Sequence, residues 1–412
     1  MPFAARLENG PRPKSVSSLP ARSILSVHNY YRQPGGEDRV FASEAELLEE
    51  NGHTVLRHED RNDRIVTGMI GAALGAVWSH HTFRQLESLT RSARIDLAHF
   101  HNTFPLVSPG AYYAAQRAGI PVVQTLHNFR LICAGATLSR DGSVCESCLE
   151  RRSLLPGIAH GCYRGSRPAT VALSTMLAVH RAAGTYQTEV DTYIALSEFA
   201  RCKFIEGGLP GKRIVVKPNF VRPDPGAGAG SGDYALFVGR LAEEKGVRQL
   251  AAAWGGLNDT PLRVVGDGPL RDTAWPPGVT LLGAQSRDSV MTLMQAARVL
   301  VFPSTWYECA PMTIIEAFAC GLPVIASNLG SIPEFVEHRH NGLLFDPRDS
   351  QDLVRQVRWV FDHPEELRAM RANARRDFEK KYTAERNYKM LMSVYEMAIE
   401  NSERRKRDDR SR

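Results

Sequence analysis

The sequence predicts an α/β chain of two domains, each built on a parallel sheet. Three observations carry this. The 412 residues exceed what one ordinary core accommodates. Short apolar runs alternate with segments of helical period, the pattern of strand–helix–strand units. The run DPGAGAGSGD, 224–233, is a flexible linker by composition, and a fresh strand starts just after it at Ala235. The expected division is a disordered lead-in over 1–20, a first domain over 21–221 with a Cys-rich insertion at 130–165, and the linker at 222–233. A second domain over 234–383, a helix over 384–400 and a basic tail over 401–412 complete it.

Composition narrows the class. A hydrophobic fraction of 43% and a charged fraction of 23% are those of a soluble globular protein. No run of 18 or more apolar residues occurs, so no membrane span is expected. The N-terminus lacks an apolar core of signal-peptide length, and the chain is expected in the cytoplasm. The net charge of +6 is modest, and much of it sits in ERRKRDDRSR, 403–412. That tail reads as disordered, with an anionic membrane surface as a candidate partner on the inner face of the cell membrane. No aromatic residues interleave its basic run, so nucleic acid is not expected as a partner.

In the first half, Ser23–His28 is the first strand. A turn with Pro34, Gly35 and Gly36 leads into a helix over Glu37–Glu50, where paired glycines let a ligand approach the helix start. His53–Arg57 is the next strand. The segment Ile65–Leu89 reads as a core helix or helix pair. The alternative is a lipid-touching surface segment with Met69, Ile70, Leu74 and Trp78 inserted. Strands at Ile95–Phe100 and Pro121–Thr125 end in His101 and His127, candidates for sugar hydroxyls or phosphate, of which His127 is singled out. Val171–Ala183 is helical, Thr192–Leu196 a strand, Ser197 a cap for the helix from Glu198, and Ile214–Lys217 the last strand.

In the second half, the strand Ala235–Val238 precedes GRLAEEKG. There Arg240 and Lys245 bring a guanidinium and an ammonium to a helix start, a suitable pair for a diphosphate; two solvated cations are the alternative. Arg263–Val265 leads into the glycine turn GDGP, beginning at Gly266, and Val279–Leu282 precedes Gln285. Val299–Phe302 and Val324–Ala326 bracket a helix over Pro311–Cys320. Seven residues separate Glu308, in the loop, from Glu316, inside the helix. The pair spans about two helical turns, beside the free N–H groups of Ala310, Met312 and Thr313 at a helix start. One ligand with hydroxyls at both ends and negative charge between them, a sugar nucleotide, suits such a pair; two solvated glutamates are the alternative. Asn341–Phe345 is a last strand, Asp352–Lys381 helical, and Glu385–Asn401 a final amphipathic helix.

The motifs GGE, LHNF, GRLAEEKG, GDGP and Glu308-x7-Glu316 together resemble the retaining glycosyltransferases of family 4, over residues from about 22 to 400. The resemblance implies the GT-B architecture, two Rossmann-like domains across a cleft with a C-terminal helix crossing back to the first. It implies transfer of a hexose, with retention, from a nucleotide-sugar donor (UDP- or GDP-hexose) to a hydroxyl of a lipid-linked or soluble glycan. Exopolysaccharide, lipopolysaccharide or glycolipid synthesis is the expected setting. Arg240 and Lys245 would hold the diphosphate, Gly35 and Gly36 lie beside it, and Gly266 and Gln285 serve the nucleotide. Glu308, Ala310, Pro311 and Met312 would hold the hexose, Glu316 the ribose, and His127 the sugar or acceptor. Asn219 is assigned no role, because Phe220 stands where the family has Gly. No DxD-like motif stands at a donor loop, so no catalytic metal is expected. A nucleotide-sugar epimerase and a zinc-knuckle nucleic-acid-binding protein are the alternatives.

The insertion carries its own signal. Cys145 and Cys148 form a CxxC pair, flanked by Cys133 and Cys162. Four sulfurs favour a structural zinc ion. A redox CxxC pair and four unlinked buried thiols remain open.

Overall fold

The computed structural model describes residues 20–32, 35–64, 69–257 and 259–411. The expected lead-in, up to residue 19, and Pro34 of the glycine turn lie outside the described residues.

Apolar runs become the centres of two parallel sheets. In the first half they are β1 (Ser23–Tyr30), β2 (Thr54–Arg61), β3 (Leu97–Phe100) and β4 (Val122–Leu126). A small hairpin, β5 (Ser139–Arg140) and β6 (Ser143–Val144), precedes β7 (Thr192–Ala195) and β8 (Ile214–Val216). The first sheet runs β2-β1-β3-β4-β7-β8, all parallel. The second half contributes β9 (Ala235–Val238), β10 (Leu262–Val265), β11 (Val279–Gly283), β12 (Val299–Phe302), β13 (Val324–Ser327) and β14 (Gly342–Phe345). These are ordered β11-β10-β9-β12-β13-β14, again all parallel. Helices cover both faces, so β3, β4, β7, β12 and β13 are buried along their whole length, and all five are dominated by apolar residues.

Several sequence expectations shift. The linker glycines are pinned rather than free. The N–H groups of Gly228, Gly230 and Gly232 donate to the carbonyls of Cys320 (2.9 Å), Gln295 (3.0 Å) and Ala296 (2.8 Å). At Gly228 a Cβ would stand 2.1 Å from the Gln295 carbonyl oxygen, so glycine is there for close approach. The helix expected over Asp352–Lys381 is two, Ser350–Asp362 and Pro364–Lys381, because Pro364 has no N–H to continue the first. The basic tail is not disordered: the final helix runs Ala384–Arg410. Arg405 pairs with Asp191 (3.2 Å), and Lys406 donates to the Gly119 carbonyl (2.7 Å), both on the first half. Tyr388, Leu391, Met392 and Tyr395 of this helix are buried in the first-half core, so it crosses back as expected. The apolar segment after β2 forms two helices, Met69–Val77 and His80–Ser92. Trp78 packs against Phe83 and Tyr113, with ring centroids 5.5 and 5.4 Å apart, whereas Leu74 is exposed. The side chains of Met69 and Ile70 lie outside the described residues. No described helix is long and apolar enough to cross a membrane.

Candidate active site

In each sheet the strand order reverses once, between β1 and β3 and between β9 and β12, and such switch points open a crevice at the carboxyl ends of the strands. Gly35 and Gly36 follow β1, His101 follows β3, and His127 follows β4. Facing them, Lys245 follows β9 and Glu308 follows β12. A cleft of about 350 Å³ joins the two switch points. It is lined by Gly35, Gly36, His127, Lys245, Glu308, Ala310, Pro311 and Met312, all expected from the sequence.

The loop after β9 is held in place by a close approach. Gly246 has φ +71°, and a Cβ there would stand 1.9 Å from the Pro303 carbonyl oxygen. Only glycine lets the helix Val247–Trp254 start against the end of β12. The contact brings Lys245 Nζ to 2.6 Å from Glu308 Oε1. The same oxygen accepts from Ser304 Oγ (3.0 Å) and Trp306 Nε1 (2.7 Å). The Lys245 ammonium also lies 5.0 Å from the Trp306 ring centroid. Beside this pair the helix Met312–Ala319 turns its unpaired N–H groups toward the cleft. Across from it a Cβ on Gly36 would be 3.6 Å from Met312 Cγ, so the glycine turn borders the helix start.

Four expected residues do not line this cleft: Arg240, Gly266, Gln285 and Glu316. Three of them continue along the same edge of the second sheet, with Arg240 after β9, Gly266 after β10 and Gln285 after β11. Arg240 is half-exposed and paired with Glu244. Gly266 packs on the preceding loop, where a Cβ would meet the Gly239 carbonyl oxygen at 1.8 Å. Gln285 donates to the Leu282 carbonyl at 2.6 Å. From β11 to β12 is three strand spacings, about 14 Å, a row that suits an elongated ligand. Glu316 is buried, and burial pushes its carboxyl above its ordinary value against the pull of Arg39 and Arg287. Arg39 Nη1 reaches it from the first half at 2.5 Å.

The histidines form a row that runs inward from the cleft, with His127 in its wall and His101 and His99 buried behind it. His127 Nε2 and His101 Nδ1 are 3.0 Å apart, which leaves Nδ1 of His127 as its free ring atom for a ligand. Burial, more than neighbouring charge, holds His127 and His101 well below the ordinary histidine range, and His99 down to about 4. All three rings are therefore neutral near neutral pH. Glu44, His99 and His101 present ligand atoms within 4.8 Å of one another. Lys217 Nζ already stands 2.5 Å from Glu44 Oε1, so an ammonium fills the place of a cation there.

Sequence reasoning missed Glu37, Asn128 and Asn219, which also line the cleft. Glu37 was visible within GGE. Asn219 was set aside because of Phe220, yet Phe220 is buried in the first core and leaves Asn219 in the cleft wall. Burial first, and the Asp38 carboxylate second, push the Glu37 carboxyl from its ordinary 4.5 to about 7, while Asn128 Nδ2 donates to it at 3.3 Å. The folded state thus holds this proton more tightly than the unfolded chain. The penalty is absent below about pH 4.5 and complete above about 7. Glu37→Gln is expected to stabilise the protein on the order of 1 to 2 kcal/mol at pH 8 and not at all near pH 4. Urea titrations at the two pH values check this; an equal effect at both would contradict it.

Residues 21–225 match the model described as Glycosyltransferase Family 4, and residues 227–377 the model described as Glycosyl transferases group 1. The chain belongs to the family 4 glycosyltransferases. Its relatives are distant. An uncharacterized glycosyltransferase of Methanocaldococcus jannaschii is 30% identical over 51% of this chain and 60% of its own length. The 2-deoxystreptamine glucosyltransferase of Streptomyces kanamyceticus is 28% identical over 74% and 79%. A second M. jannaschii glycosyltransferase is matched over 45% of its length, so these alignments span well under the whole of several relatives. Among solved structures, a glycosyltransferase of Rickettsia africae covers 92% of this chain and 99% of its own, at TM-score 0.67 and 14% identity. Anabaena Alr3699/HepE in complex with UDP and glucose covers 90% and 99%, at TM-score 0.63 and 18% identity. At those identities the likeness is one of fold, the GT-B fold of this family 4 chain.

Proposed function

We propose that this family 4 glycosyltransferase moves a hexose from a nucleoside-diphosphate sugar to a hydroxyl acceptor with retention of anomeric configuration. The observation that carries it is the Lys245–Glu308 pair at the switch point of the second sheet, facing Gly35–Gly36 and His127 across the cleft. An ammonium 2.6 Å from a carboxylate supports this reading, since the one suits a phosphate and the other sugar hydroxyls. Lys245, with Arg240, neutralises the leaving diphosphate as its charge develops. Glu308 and the N–H groups of Ala310 and Met312 hold the hexose. Glu316 takes the ribose hydroxyls, Gly266 and Gln285 border the nucleotide, and neutral His127 orients the sugar or acceptor through Nδ1. In the transfer the bond from C1 to the phosphate oxygen breaks. The acceptor oxygen bonds to C1 on the same face, and its proton passes to the departing phosphate oxygen. The Anabaena complex favours a uridine donor. Glycan or glycolipid synthesis at the cytoplasmic side of a membrane is the setting this chemistry suits.

The test is product analysis with UDP-glucose and a panel of glycan and glycolipid acceptors. NMR of the new linkage is expected to show the donor's anomeric configuration, with one nucleoside diphosphate released per transfer. An inverted linkage contradicts retention, and a sugar epimerised without acceptor contradicts transfer.

The two glutamates serve different ends of the donor. Glu316→Gln is expected to weaken binding of bare nucleoside diphosphate about 10- to 100-fold, the worth of a hydrogen bond to a charged group. Glu308→Ala is expected to keep that binding and lose transfer. Calorimetry finding equal losses in both variants would contradict the assignment.

A further inference from the structure

We infer that Cys133, Cys145, Cys148 and Cys162 form a structural zinc site that braces the acceptor-side wall of the cleft. The four side chains come from three separate stretches of the insertion and line one small cavity of about 10 Å³, the scale of a single ion or water. Cys133 follows the 3-10 turn Phe129–Leu131. Cys145 leaves the β5–β6 hairpin, with its N–H on the Leu138 carbonyl at 2.8 Å. Cys148 sits in the short helix Ser147–Glu150. Cys162 follows the left-handed Gly161. All four are free thiols, with no carboxylate or imidazole lining the cavity, a donor set that selects zinc.

The backbone around the cavity supports an ion rather than four chance thiols. Ala136, Leu138, Asp141, Arg152 and Arg164 have left-handed φ between 47° and 66°, five of the seven such non-glycine residues among those described. Backbone of this kind persists where its surroundings over-determine it, and here those surroundings are the packing of Leu138, Leu149 and Leu154 in the first core together with the four sulfurs. Among the described residues no three of these sulfurs lie within 4.8 Å of one another. Tetrahedral ligation at about 2.3 Å requires these sulfurs to approach one another further than they stand here.

The brace reaches the site through two side chains. Arg130 stands three residues before Cys133, and Tyr163 directly follows Cys162. The Arg130 guanidinium lies 5.4 Å from the Tyr163 ring centroid and 4.8 Å from that of Phe104. Its Nε and Nη1 are buried without a hydrogen-bond partner, beside His127 and Asn128. The ion joins the two segments that form this wall, so it shapes the acceptor side and takes no part in bond making.

The assignment is independent of the donor chemistry, and its test reads metal, not activity. Protein purified without chelator is expected to contain one equivalent of zinc by elemental analysis. Titration with a mercurial in the presence of a chromogenic chelator is expected to release that zinc from the wild-type chain. Cys148→Ser and Cys145→Ser are expected to lose it while circular dichroism shows that the two parallel sheets stay folded. If both variants fail to fold, the mercurial titration of the wild type decides alone. Four alkylatable thiols without metal, an internal disulfide among them, or iron in place of zinc would each overturn the assignment.

Discussion

Lys245→Ala is expected to lower turnover by about two to four orders of magnitude while the protein stays folded, the scale of losing a positioned charge at a developing anion. Lys245 Nζ is fixed by Glu308 at 2.6 Å and by the Trp306 ring at 5.0 Å, so the ammonium is pre-aimed rather than swinging on a free stem. Its side chain is only 22% exposed, which keeps competing water away. The loss should appear mainly in kcat, because the charge on the diphosphate grows as the C1–O bond breaks. Lys245→Arg should recover little, since a planar fork does not replace a point charge between Glu308 and Trp306. Thermal unfolding should move by no more than a degree or two, as for a partly exposed pair. Steady-state rates near wild type in Lys245→Ala would remove this residue from the phosphate site.

The largest stability effect is expected at Lys217. Lys217→Met should destabilise the protein by about 3 to 5 kcal/mol, the cost of leaving a buried charge alone. The side chains of Lys217 and Glu44 are 1% and 2% exposed, with 2.5 Å between them. The second Glu44 oxygen has no hydrogen bond and faces His101 at 3.6 Å. That ring is neutral in the wild-type chain, since burial first and the neighbouring His99 second hold it far below the ordinary range. Lys217 also reaches Asn387 (3.4 Å), and Asn387 Nδ2 donates to the Pro218 carbonyl (3.0 Å). The pair thus ties the helix Gly36–Glu50, the end of β8 and the returning C-terminal helix together behind the cleft. The double variant Glu44→Gln/Lys217→Met should recover a large part of the loss, because no charge is then stranded. Denaturant titrations that find the single and double variants equally stable would contradict this account.

Local signals carried most of the fold. Apolar runs bounded by Gly and Pro located every strand of the second sheet to within a few residues, and β12 and β13, buried at every residue, carry the clearest pattern because it needs no partner information. The failures share one cause, contacts distant in sequence. The glycines of 224–233 read as slack, and only their contacts with Gln295, Ala296 and Cys320 reveal a pinned strap. The run ERRKRDDR reads as disordered until Arg405 finds Asp191 across more than 200 residues of chain. The same division holds at the site. Lys245 and Glu308 were legible because helix starts and strand ends advertise themselves. Arg39 was not, for its partner Glu316 lies on the opposite domain. Lys217 read as the end of a strand, since nothing local marks a lysine for burial. Glu37 was quoted within a motif but gained its raised carboxyl only from what closes around it.

The measurement that most directly tests the central claim is calorimetric titration of the wild-type chain with a panel of nucleoside diphosphates. One of them, with UDP foremost, is expected to bind at one site per chain. Lys245→Ala and Glu316→Gln should each weaken that binding, and Glu308→Ala should leave it near wild type. If no nucleoside diphosphate binds, or if one binds equally well to the wild type, Lys245→Ala and Glu316→Gln, the edge of the second sheet is not a donor site and the account fails.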